Sequence, residues 1–202
     1  MLNQIMATAK YKMRFLFLAA DKLKKRLFDG GLIWILIAPV ITAILLLVVY
    51  ALKGVYPFGD NNIAYYDMAQ YYIPVYYHTH DVFHGLKSIY FDWHSGLGSS
   101  MADTAGNFVF SPFNLFFLFI SRDHILESMS FFLMIKLMFG AFAMSFYMQK
   151  TYRNLQGFVV SAAGIMYATS GYIIQYYTNI HFLDIVVMFP LLIHALNRLI
   201  HK

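Results

Sequence analysis

A carboxylate beside a water–lipid boundary can take a proton as a general base or hold a divalent cation against a phosphate. Asp67 is placed for either role, fifteen residues beyond the uncharged run 30–52 and within a stretch rich in apolar groups. A helix-terminal charge or a plain solvated acid is the alternative reading of the same residue. Asp60 competes with it from inside the turn sequence Tyr56-Pro57-Phe58-Gly59-Asp60. Beyond that turn the spacing predicts a helix from Asn61 to Gly85. On it Asp67, Gln70, Tyr71, Pro74, His78 and Asp81 recur at intervals of three and four and share one face. Pro74 interrupts or bends this helix.

Other chemistry-bearing residues carry less. His78, His80 and His84 invite a metal, but no Glu completes an H-E-x-x-H arrangement, and they read as interfacial aromatic residues. Gly96-Leu97-Gly98-Ser99-Ser100 lacks the strand–helix context and third glycine of a dinucleotide fingerprint, although its backbone N–H groups could meet phosphate or sugar oxygens. Lys136 falls inside an apolar run, where a charge is costly and often functional; its stem could instead snorkel to the membrane face. Asp184, the one acid after Glu127, is expected in the first turn of a helix, where negative charge is favoured. With no cysteine, the chain has neither a disulfide framework nor a thiolate metal site.

The elements that must position these residues follow from composition. Of 202 residues, 60% are hydrophobic and 12% charged, too apolar a balance for a soluble domain of this length. The formal charge of +5 is unevenly spread: net +5 over 1–29, −4 over 53–127 and +4 over 128–202. Basic residues flanking apolar runs are the positive-inside pattern of a membrane protein, not the single basic face of a nucleic-acid binder. The leader 1–29, with Phe15–Leu18, Leu23, Leu27 and Phe28 among its Lys and Arg, is expected in the cytoplasm, on anionic lipid or as a solvated tail.

Crossings are expected at 30–52, 128–149, 157–177 and 183–200. Pro112 splits the run 105–121, and only Leu115–Ile120 is unbroken apolar sequence, far short of the roughly 20 residues of a span. That segment is therefore read as interfacial. The expected fold is an all-α membrane protein with about four transmembrane helices, and residues 53–127 form a large outer loop holding two membrane-parallel helices, 61–85 and 105–121. Tyr65, Tyr66, Tyr72, Tyr76 and Tyr77 suit headgroup level.

Five motifs in order then carry a family resemblance: Pro57-Phe58-Gly59; Asp67-Met68-x-Gln70-Tyr71; Trp93-x-x-Gly96-Leu97-Gly98; Ser111-Pro112-Phe113-Asn114; and Asn179-Ile180-x-x-Leu183-Asp184 before a Pro190-containing span. From about residue 30 onward the chain resembles the N-terminal part of the YfhO family of bacterial membrane proteins. That family is similar to GT-C glycosyltransferases, so the resemblance implies a GT-C-like N-terminal module. It implies a polyprenyl-phosphate-linked sugar donor and a cell-surface polymer acceptor such as lipoteichoic acid. It raises Asp67 over Asp60 as the catalytic carboxylate and makes Gln70, Tyr71, Trp93, Asn114 and Asp184 candidate substrate-binding residues. Any divalent cation would lack a specific motif. Family members are usually several times longer, so the resemblance also implies a truncated chain. The rival reading is a non-catalytic membrane component: a transporter or flippase for lipid-linked substrates, or an accessory or remnant protein.

Overall fold

The computed structural model describes residues 31–93, 96–100, 111–152 and 154–201. The basic leader 1–29 and residues 105–110 of the second interfacial segment lie outside them. Four helical stretches among the described residues are long and apolar enough to cross a membrane: Leu32–Lys53, Arg122–Thr151, Gly157–Tyr176 and Phe182–Ile200. The chain is an all-α membrane protein, and its only described sheet is a two-stranded hairpin.

Helix α1 (Leu32–Lys53) contains 22 residues, enough at 1.5 Å each to cover about 33 Å. Between it and the next crossing, a single π-helical turn, Met68–Tyr72, leads into α2 (Ile73–Phe83). A hairpin of β1 (Phe91–Asp92) and β2 (Ser99–Ser100) follows, then 3-10 turns at Pro112–Leu118 and Arg122–His124. The remaining elements are α3 (Ile125–Thr151), α4 (Gly157–Ala168), α5 (Gly171–Tyr176) and α6 (Phe182–Ile200).

Helix α3 is the hub, packing against α1, α4 and α6, while α1 also meets α4. Lipid gives no hydrophobic drive for helices to associate, so close approach and polar links must hold them together. Both are visible. A Cβ on Gly164 would lie 2.5 Å from the Ala141 carbonyl oxygen, so only glycine lets α4 sit this close to α3. Ser145 Oγ donates to the Val160 carbonyl at 3.2 Å, and Ser161 Oγ donates to the Trp34 carbonyl at 2.5 Å. Pro190 has no N–H for the Val186 carbonyl one turn before it. The Tyr167 hydroxyl supplies the donor instead, at 2.6 Å.

Two local departures from the expected elements have clear causes. The helix expected from Asn61 begins only at Met68, because the asparagines engage the backbone otherwise. Asn61 Nδ2 donates to the Lys53 carbonyl at the end of α1 (2.8 Å), and Asn62 Oδ1 accepts from Ala64 N (3.0 Å). Tyr66, at φ 50°, turns the chain just before Asp67. The third crossing, expected as one helix over 157–177, is broken between α4 and α5. Thr169 Oγ1 bonds back to the Ile165 carbonyl at 2.8 Å, and Ser170 is extended. Of the run 105–121, the described part forms a 3-10 turn, Pro112–Leu118, with Pro112 at its start.

Candidate functional site

The platform made by the π turn and α2 rests on an aromatic core. Tyr76 is buried, stacked on Phe117 at 4.8 Å and edge-on to Phe132 of α3 at 5.4 Å. Its neighbour one turn back, Tyr72, is also buried; its hydroxyl donates to Asn179 Oδ1 at 3.4 Å, and its ring lies 4.6 Å from that of His181. The platform is thereby tied to the turn that enters α6. Burial, then the charge of Asp67, then Tyr71 push the Tyr72 hydroxyl up to about 12, so it remains a neutral donor at pH 7.

On the outward side of this platform lie Asp67, Gln70 and Tyr71, all exposed. Asp67 immediately precedes the π turn but makes no capping hydrogen bond with its side chain. Its carboxylate is thus not consumed as a helix cap. Single π turns recur at functional positions because they re-aim side chains within a helix.

Behind Tyr72 lies a buried ion pair. Lys136 Nζ is 2.5 Å from Asp184 Oδ1 and donates to the Ile180 carbonyl at 2.9 Å. The ammonium also lies over the rings of Phe132 (4.6 Å) and Phe113 (5.5 Å). Lys136 is wholly buried, so it does not snorkel to solvent. Asp184 occupies the first turn of α6, as expected, and neutralises this lysine as well. Asn114, buried beside Phe113, stands on the 3-10 turn that supplies that ring. Burial and the Lys136 charge push the His181 imidazole down to about 4, against a smaller opposing effect of Asp184, leaving it neutral near pH 7.

Sequence-predicted residues therefore fall into three places. Asp67, Gln70 and Tyr71 share the exposed platform; Asp184 and Asn114 stand on elements that converge on Lys136. Trp93 belongs to the hairpin, packed edge-on to Phe91 at 4.8 Å, and Asp60 is exposed in the loop after α1. Sequence reasoning missed Tyr72, Asn179 and His181 as the link between platform and pair. A lone lysine within a span, with a single acid downstream, was the available signal for Lys136–Asp184.

The histidines do structural work. His78 Nε2 donates to the Ser88 carbonyl at 3.1 Å, and its Nδ1 lies 3.4 Å from Asp92 Oδ1. His80 Nε2 donates to the Ile120 carbonyl at 3.1 Å, and His84 Nδ1 to the His80 carbonyl at 2.9 Å. Beside them Asp81 accepts from Arg122 Nε at 2.9 Å, with Lys87 Nζ at 3.5 Å. Burial would raise the Asp81 carboxyl, but the bonds from Arg122 and His80 and the charges of Arg122 and Lys87 outweigh it and hold it below its ordinary value. No group of three or more His, Cys, Asp or Glu side chains able to hold a metal occurs among the described residues.

Four apolar helices with a polar platform between the first two define a multi-pass membrane protein. A family model described as bacterial membrane protein YfhO matches residues 38–202, and the chain belongs to the YfhO family. No curated protein and no solved structure matches it.

Proposed function

We propose that the chain is a module of a membrane glycosyltransferase. It takes a sugar from a polyprenyl-phosphate donor and passes it to a cell-surface polymer such as lipoteichoic acid. The observation that carries this reading is the Asp67 carboxylate, exposed, free of any capping role and held at a π turn on a rigid aromatic platform. Family membership supports it. In this reading the acceptor hydroxyl gives its proton to Asp67 as its oxygen attacks the anomeric carbon. The bond from that carbon to the donor phosphate breaks, and polyprenyl phosphate leaves with the electron pair. Gln70 and Tyr71, on the same platform, bind sugar or phosphate oxygens. Asp184 acts from behind it, through the turn that Lys136 holds, and Asn114 from the 3-10 turn whose Phe113 ring faces the same ammonium.

The distribution of charge supports an orientation with both termini in the cytoplasm and residues 53–127 outside. The lipid tail of the donor would then stay in the bilayer while its phosphate meets the platform. A transport role would call for polar groups deep in the crossings. Lys136 is the one formal charge away from a span end, and its charge is already matched by Asp184.

The test is transfer in proteoliposomes supplied with radiolabelled sugar on polyprenyl phosphate and with lipoteichoic acid. A full-length family member carrying this module is expected to label the polymer, and D67N within it to lose roughly 100- to 10,000-fold in rate, the usual contribution of a general base. Equal labelling by D67N would overturn the role of Asp67.

A further inference from the structure

The β1–β2 hairpin is built inside out. In the antiparallel register Phe91 pairs with Ser100 and Asp92 with Ser99. A strand on a water-facing surface would turn its apolar residue inward and its charge outward. Here Asp92, the only charge in the described residues from Ser88 to Ser100, is turned inward (8% exposed) and lies against buried His78. The outward positions are apolar: Tyr90 and Trp93 are each 77% exposed, and Leu97 is 102% exposed.

The Phe91 and Trp93 rings hold a fixed arrangement. The Phe91 ring lies over Gly98, where a Cβ would be 2.6 Å from it, and Trp93 packs edge-on against Phe91. Gly98, at φ 101°, accepts that backbone turn without strain. The base of the hairpin is pinned through His78 to α2, and α2 packs on α3 at the end where that span begins.

We propose that this hairpin is a membrane anchor whose Trp93, Tyr90 and Leu97 enter the headgroup and upper acyl region of the bilayer that α1, α3, α4 and α6 cross. Lipid is the occupant that fits. Trp and Tyr suit the interface, where one end of the ring is apolar and the other wet. Among the described residues the outward positions carry no charge that a soluble partner could pair. Turning Asp92 inward removes a charge whose transfer to lipid would be costly. The hairpin then holds the platform at a set height above the acyl chains.

The chain has two tryptophans, so W34F leaves Trp93 as the sole indole emitter. The full chain carrying W34F, in nanodiscs, is expected to show blue-shifted Trp93 emission. Lipids brominated high on the acyl chain should quench it strongly, lipids brominated near the chain end weakly, and aqueous iodide little. Quenching by iodide without quenching by brominated lipid would overturn the proposal, as would emission insensitive to both. Should W34F fail to fold, a spin label on L97C gives a second reading, since the native chain has no cysteine. Greater accessibility to oxygen than to a water-soluble nickel chelate supports the anchor; the reverse contradicts it.

Discussion

Lys136 Nζ on α3 meets Asp184 Oδ1 on α6 at 2.5 Å, joining residues 48 apart in the sequence, and the same ammonium holds the Ile180 carbonyl at 2.9 Å. One charge therefore fastens both the first turn of α6 and the turn before it. That turn carries Asn179 and His181, which receive Tyr72 from the platform. The geometry of the exposed platform thus depends on a pair buried behind it.

Removing one partner of such a pair leaves an uncompensated charge. K136M is expected to destabilise the chain by about 3 kcal/mol, the low end for breaking a buried pair because Asp184 keeps some contact with solvent. The double variant K136M/D184L is expected to recover most of that loss. Unfolding in detergent, followed by circular dichroism, measures both; no recovery in the double variant contradicts the pairing.

Tyr167 substitutes for the N–H that Pro190 lacks, so its value depends on that proline. Y167F is expected to cost about 1 kcal/mol, in the range of hydrogen bonds between membrane helices. In a P190A background, Val186 regains a donor from its own helix, and Y167F should cost clearly less. A double-mutant cycle on thermal stability reads the difference. Equal costs in the two backgrounds contradict the substitution.

Asp81 supplies an acid-sensitive element. Its folded pKa lies below the ordinary 3.8, so its contribution is complete above that value and lost as pH falls through the folded one. D81N should therefore be less stable than the native chain at pH 7, and the gap should close as pH falls below about 4, the range where free carboxylates titrate. Melting curves at pH 7 and pH 3 check this. A gap that persists or widens in acid would contradict the ion pair with Arg122.

The orientation has a direct test because the native chain has no cysteine. Y66C, exposed before the platform, is expected to react in intact cells with a maleimide that cannot cross the membrane. N154C, between α3 and α4, is expected to be protected until the membrane is opened. The reverse labelling pattern would place the platform in the cytoplasm.

The four crossings are legible from the sequence because long apolar runs with basic flanks have few other physical solutions. What escapes the sequence is decided by contacts at a distance. Lys136 alone reads equally as a snorkelling residue or a functional charge, and only the fold brings Asp184 to it. The His80 and His84 rings stack at 4.1 Å, but their carbonyl partners cannot be seen in their spacing. The late start of the platform helix reflects competition from Asn61 and Asn62 side chains, which periodicity does not register. Within the site, Asp67, Gln70 and Tyr71 are legible together because they are close in sequence; Tyr72 is hidden because its role depends on Asn179.

Cells decide whether Asp67 is the reacting carboxylate. The native gene carrying D67N or D60N would replace the wild type, and the sugar content of the cell-surface polymer would be measured. D67N is expected to abolish glycosylation and D60N to leave it near the wild-type level. Full sugar content with D67N, with the protein present in the membrane at normal abundance, would contradict it.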